Sequence, residues 1–185
     1  MMAQAPAQPP KRRIPSLAGI EHIGLTVPDI DQATGFLSDL FGAETLYDIG
    51  PFASSDDWMA GHLANRQGAR LNRLRVVRIA NGPVLELFEV ARGESAELVS
   101  QEAPAGFHLA FYVADMDAAL AALKEHNVEI QSGPVEMTEG PSGGMTWLYF
   151  TAPWGQQLEL VSYPRGIDAY HGRSDIWRPA PGASD

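Results

Sequence analysis

Apolar and polar positions alternate along the first half of the chain with two different periods. Residues 20–27 are β-branched and apolar enough for a strand. Pro28-Asp29-Ile30-Asp31 then supplies a breaker and a helix cap. Ala33, Phe36, Leu37, Leu40 and Phe41 recur at i, i+3, i+4, i+7 and i+8, one face of a helix over residues 31–41 that Gly42 ends. Strands follow over 43–49, 71–79 and 84–90. Asn81-Gly82 marks a tight turn between the last two, and Pro83 restricts the next strand to a start that needs no donor. The order is strand, helix, three strands.

The second half repeats it. An offset of 86 residues sets His22 on His108, Val27 on Val113, Asp29 on Asp115, Asp31 on Asp117 and Ala33 on Ala119. A helix is expected over 117–127, then strands over 128–135, 145–151 and 156–162, with Trp154-Gly155 at the last corner. Leu158-Glu159-Leu160 falls on Leu85-Glu86-Leu87 at an offset of 73, so the first half carries 13 extra residues. They are assigned to an inserted helix at about 55–66, which has an acidic start and contains Trp58, Met59, His62 and Leu63. The expected organisation is a leader at 1–18, a first module at about 19–91, a second at about 105–163, and a tail over 164–185. Tyr170 and Trp177 suggest that the tail packs on the domain, while Gly140-Pro141-Ser142-Gly143-Gly144 reads as a loop able to move.

Composition narrows the function classes. With 45% apolar residues in 185, the chain can bury a core of its own. The leader, rich in Ala, Pro and Gln, is left out of that core and read as disordered. A net charge of −10 with no basic stripe argues against nucleic acid and anionic membrane surfaces as partners. No apolar run approaches the roughly 18–20 residues of a membrane span, no export signal is evident, and a cytoplasmic location is the default expectation. The absence of cysteine removes disulfides, thiolate metal ligands and a Cys nucleophile.

Chemistry enters through the repeat. Each half places one histidine on its first strand and one glutamate, between leucines, on its last. Alternation along a strand sends Glu86 and Glu159 to the face opposite the leucines. Taken singly, any of these residues is more often structural than functional. Taken together, two His and two Glu at equivalent positions would converge if the modules are related by a pseudo-twofold axis. Two imidazoles and two carboxylates suit a divalent first-row metal.

His22, Glu86, His108 and Glu159 within a duplicated strand-helix-three-strand unit resemble the vicinal oxygen chelate superfamily, which includes glyoxalase I, methylmalonyl-CoA epimerase, extradiol dioxygenases and bleomycin-resistance proteins. The resemblance covers about residues 20–163. It implies an α+β fold in which two βαβββ modules form a curved, incompletely closed eight-stranded mixed sheet with the helices outside. It further implies that the four residues hold one divalent ion, among Zn, Ni, Co, Mn and Fe, and leave two positions for adjacent oxygens of a small-molecule substrate. The expected reaction is proton abstraction next to a carbonyl, with an isomerase, epimerase or lyase outcome. Glu159 is then the base, and Glu86 serves the opposite face. A homodimer is expected, and the ligands can come from one chain or from two.

Two other readings remain open at this level. An extradiol-type Fe(II) dioxygenase would use His22, His108 and Glu159, with Glu86 as the obstacle because a fourth ligand crowds out dioxygen. A metal-free protein that sequesters a drug or small aromatic would use Trp147, Tyr149 and Phe111. Arg73 and Arg75, which share one strand face, are candidates for holding an anionic substrate group, or they merely solubilise an edge strand. His62 in the inserted helix and His171 in the tail are further acid–base candidates.

Overall fold

The computed structural model describes residues 19–51, 70–90, 104 and 106–172. The leader, the inserted helix with His62, and the tail beyond residue 172 lie outside these residues. Strand β1 (His22–Val27) leads into helix α1 (Ile30–Phe41), followed by β2 (Glu44–Ile49), β3 (Leu71–Arg78) and β4 (Val84–Val90). The second unit is β5 (Leu109–Tyr112), α2 (Met116–Glu125), β6 (Glu129–Ile130), β7 (Val135–Glu136), β8 (Thr146–Thr151) and β9 (Gln157–Ser162).

Both helices start on aspartates that the repeat aligns. Asp29 accepts hydrogen bonds from the N–H groups of Asp31 and Gln32 at 3.0 and 2.9 Å, and Asp115 accepts from Ala118 N–H at 3.0 Å. Gly42 closes α1 in the left-handed conformation at φ 61°. Helix α2 stops two residues earlier than its apolar spacing suggests, because Asn127 turns the chain away at φ 54°.

The strands form two open mixed sheets, ordered β1-β4-β3-β2 and β5-β9-β8-β6, with β7 also on β8. Nine strands are present among the described residues where the repeat suggests eight. The strand expected over 128–135 is cut into β6 and β7 at Gly133-Pro134, where Pro134 has no N–H to offer the ladder. The first strand of each unit runs parallel to the last, β1 to β4 and β5 to β9.

One face of each sheet is packed. Leu25, Val27, Val77, Leu85 and Leu87 join Ile30, Ala33 and Leu37 of α1 in one cluster, while Leu148, Phe150, Leu158 and Leu160 join Met116 and Leu123 of α2 in another. Helix α1 links the two. Phe41 stacks on Phe111 with ring centroids 4.3 Å apart, and Phe36 meets Trp154 edge-on at 5.6 Å. The halves of one chain are thus joined through their helix-side cores. The Gly140–Gly144 loop is tied down as well: the Asp168 and Ala169 N–H groups donate to the Gly143 and Pro141 carbonyls at 3.1 and 2.9 Å, from the short 3-10 turn Asp168–Tyr170.

Candidate metal centre

The register sets the first His–Glu pair. In the parallel β1–β4 ladder His22 stands opposite Val84, and Gly24 opposite Glu86. Leu85 and Leu87 fill the core, so Glu86 emerges on the other face with His22, Gly24 and Thr26. With no side chain at Gly24, His22 leans along the strand until its Nε2 lies 3.2 Å from Glu86 Oε2. Its Nδ1 contacts the Glu21 carboxylate. That contact, reinforced by the charge of Glu86, raises the His22 pKa above its ordinary value.

The second unit builds the same arrangement. Ala110 is opposite Glu159, and His108 Nε2 approaches Glu159 Oε2 to 3.0 Å. Glu159 is one of two buried polar residues among those described, at 8% exposure. Burial pushes its carboxyl above the ordinary range, and the charge and hydrogen bond of His108 offset part of that rise. Tyr149 lies opposite Glu159 on β8 and sets its ring edge-on to His108 at 5.2 Å, with Trp147 beyond it at 5.3 Å. Both aromatics line the site face. Phe111 is on the core face instead.

The donor set fits a divalent ion. If Nδ1 of His22 donates to Glu21, then Nε2 presents a lone pair to a carboxylate oxygen, and such a contact requires a proton or a cation between the two atoms. The N···O separations of 3.2 and 3.0 Å bring an imidazole nitrogen and a carboxylate oxygen of each pair close enough to share one cation. Two carboxylates would balance its charge. The pairs do not meet within one chain, however: among the described residues no three His, Cys, Asp or Glu side chains gather closely enough to hold a metal.

The arginines lie elsewhere. Arg75 pairs with Leu87 across β3–β4 and therefore faces α1, opposite to Glu86. Arg73 and Arg75 both reach Asp31 of α1, at 2.8 and 2.9 Å, and Asp48 of β2, at 2.7 and 2.5 Å. Arg75 Nη1 also donates to Thr34 at 2.9 Å. These bonds hold both aspartates below the ordinary carboxylate range. His171 caps the 3-10 turn at its C-terminal end. The repeat reading overlooked Glu21 and the small residues Gly24 and Ala110. The small pair was visible in principle, since the offset of 86 that aligns the histidines aligns them too.

Residues 19–160 match the model of the Glyoxalase/Bleomycin resistance protein/Dioxygenase superfamily. The chain belongs to that superfamily. A curated superfamily relative from Actinomyces sp., named 2-epi-5-epi-valiolone epimerase, is 38% identical over 159 residues, covering 84% of this chain and 85% of its own. Solved structures share the superfamily fold at lower identity. A glyoxalase family protein from Bacillus cereus superposes with a TM-score of 0.61 at 16% identity, over 80% of this chain and 95% of its own. A mutant of the fosfomycin resistance protein FosX from Listeria monocytogenes gives 0.55 at 21% identity, over 79% and 92%; that structure contains Mn(II) and 1S,2S-dihydroxypropylphosphonic acid.

Proposed function

We propose that this protein is a metal-dependent epimerase that inverts a carbon next to a carbonyl in a small hydroxyketone. The observation that carries the reading is the duplicated His–Glu pair, held at 3.2 and 3.0 Å on equivalent strands. The epimerase relative supports it, because its name describes stereochemical inversion in a ketone.

His22, Glu86, His108 and Glu159 would hold the ion, contributed by two copies of the chain because the pairs do not meet within one, with Glu21 fixing the tautomer of His22. A divalent ion held there would supply a Lewis acid against the negative charge that develops when the carbon beside the carbonyl loses its proton. Glu159 takes the proton from the carbon beside the carbonyl. The C–H electron pair moves into the enediolate as the Glu159 carboxylate accepts the proton. A proton relayed from solvent through Glu86 reaches the opposite face of the carbon, and Glu159 gives up the abstracted proton to solvent, so that both carboxylates return to their starting state. No oxidant is needed. Tyr149 and Trp147 form the wall beside Glu159 and restrict water there.

The test uses 2-epi-5-epi-valiolone in D2O with Mn(II)-loaded protein, followed by proton NMR. The expected outcome is interconversion with one deuteron incorporated beside the carbonyl, abolished by chelation of the metal. Glu159→Gln should lower the rate by about 10²–10⁴-fold. Wild-type loaded protein that exchanges no proton with this ketone would overturn the epimerase reading, as would oxygen consumption on a catechol without isomerisation.

A further inference from the structure

We propose that Trp147 is a stacking platform for a saturated substrate ring and selects cyclic polyhydroxy ketones over open-chain ones. This rests on the epimerase reading above and deepens it by assigning a specificity residue and a substrate class. The ladder sets the position. Tyr149 stands opposite Glu159 and Trp147 opposite Val161, so these four side chains share the face that carries His108. Val135 of β7 flanks Trp147 on its other side, and Tyr112 of β5 joins the face opposite Val161.

The fold itself does not need these rings, because the first sheet builds the same ladder without them. At the offset of 73 that aligns the two glutamates, Leu74 and Val76 occupy the places of Trp147 and Tyr149, and they pair with Phe88 and Glu86. At the offset of 86, Thr26 occupies the place of Tyr112. Val76 is buried at 2% exposure, whereas Trp147 and Tyr149 are only half-buried. Both halves keep the His–Glu pair, and one alone carries the aromatic surface.

A flat indole face beside a carboxylate base suits a ligand that is apolar on one side and polar around its rim. A saturated six-membered ring bearing hydroxyl groups has that form. Its C–H bonds, positive at hydrogen, lie against the negative face of the indole, while its oxygens point toward the histidines and carboxylates. An open-chain hydroxyketone has no such face. Trp147 is the cross-strand diagonal neighbour of Glu159, a spacing of about 7–8 Å that leaves room for one ring with its reacting carbon at the carboxylate. Tyr149 meets both Trp147 and His108 edge-on, at 5.3 and 5.2 Å, and supports the indole from the side of the His–Glu pair.

The test compares wild type with Trp147→Leu, which installs the residue found at the equivalent position of the first sheet, and with Trp147→Phe, which keeps a flat face. Saturation-transfer NMR on the Zn(II)-loaded proteins reads binding of 2-epi-5-epi-valiolone and of dihydroxyacetone, with circular dichroism to confirm folding. In wild type, irradiating the aromatic protons should saturate the ring C–H protons of the cyclic ketone. Trp147→Leu should lose that signal and bind the cyclic ketone about tenfold more weakly, while Trp147→Phe recovers most of the affinity. Dihydroxyacetone should bind weakly and equally to wild type and Trp147→Leu. Unchanged affinity for the cyclic ketone in Trp147→Leu would overturn the platform, as would an equal loss for both ketones or a preference of Trp147 for planar catechol. Binding here needs no turnover. Wild type that holds the ring through Trp147 but exchanges no proton would remove the epimerase reading and keep the platform. Epimerisation with the same KM in wild type and Trp147→Leu would do the reverse.

Discussion

Each proposed metal-binding histidine has an immediate environment that sets its chemistry. For His22, the Glu21 carboxylate at Nδ1 leaves Nε2 to face Glu86, an arrangement that orients the ring and increases its basicity toward a metal. Glu21→Ala should therefore weaken Mn(II) binding by about tenfold, measured by titration calorimetry at pH 8. Glu21→Gln, which still offers an acceptor oxygen, should recover most of the loss. The four central residues were legible in the sequence because duplication printed them twice in the same relation to leucines and strand starts. Glu21 was not, because position 107 holds Phe and the repeat offers no second copy of it. Arg73 and Arg75 show the opposite problem: strand alternation put them on one face, but only the ladder with Leu87 reveals that this face lies beneath α1.

Among the elements, α1 is held at its start from several sides. Asp29 caps it, Glu89 of β4 accepts the Ile30 N–H at 2.9 Å, and the Arg73–Arg75 pair clamps Asp31 to Asp48 of β2. Asp48 titrates below its ordinary 3.8 in the folded chain because Arg73 and Arg75 donate to it. Between that depressed value and 3.8 the unfolded chain binds more protons, so the contribution of Asp48 is present above pH 3.8 and is lost as the pH falls through the folded value. Denaturant melts of Asp48→Asn should show lower stability at pH 7, by no more than about 1 kcal/mol for a solvent-screened pair. The deficit should shrink toward pH 3. Helix positions were readable from apolar spacing and aspartate caps. The division of β6 from β7 was less so, because Gly133-Pro134 sits inside an otherwise strand-like run and its effect depends on the pairing with β8.

On the scale of the whole molecule, the sequence offered the duplication but not the way its halves are joined. Helix periodicity marks Phe36 and Phe41 as core-facing without saying that the core they enter is partly that of the other half. The aromatic stack of Phe41 on Phe111 is a contact that should couple the melting of one half to that of the other. Native-state hydrogen exchange on the protein at fixed concentration should accordingly give the slowest amides of β4 and β9 the same opening free energy. In Phe41→Ala those two values should separate. The repeat supplied two similar folding units, and the two rings that the first helix sets against Phe111 and Trp154 are the contacts through which they would melt as one.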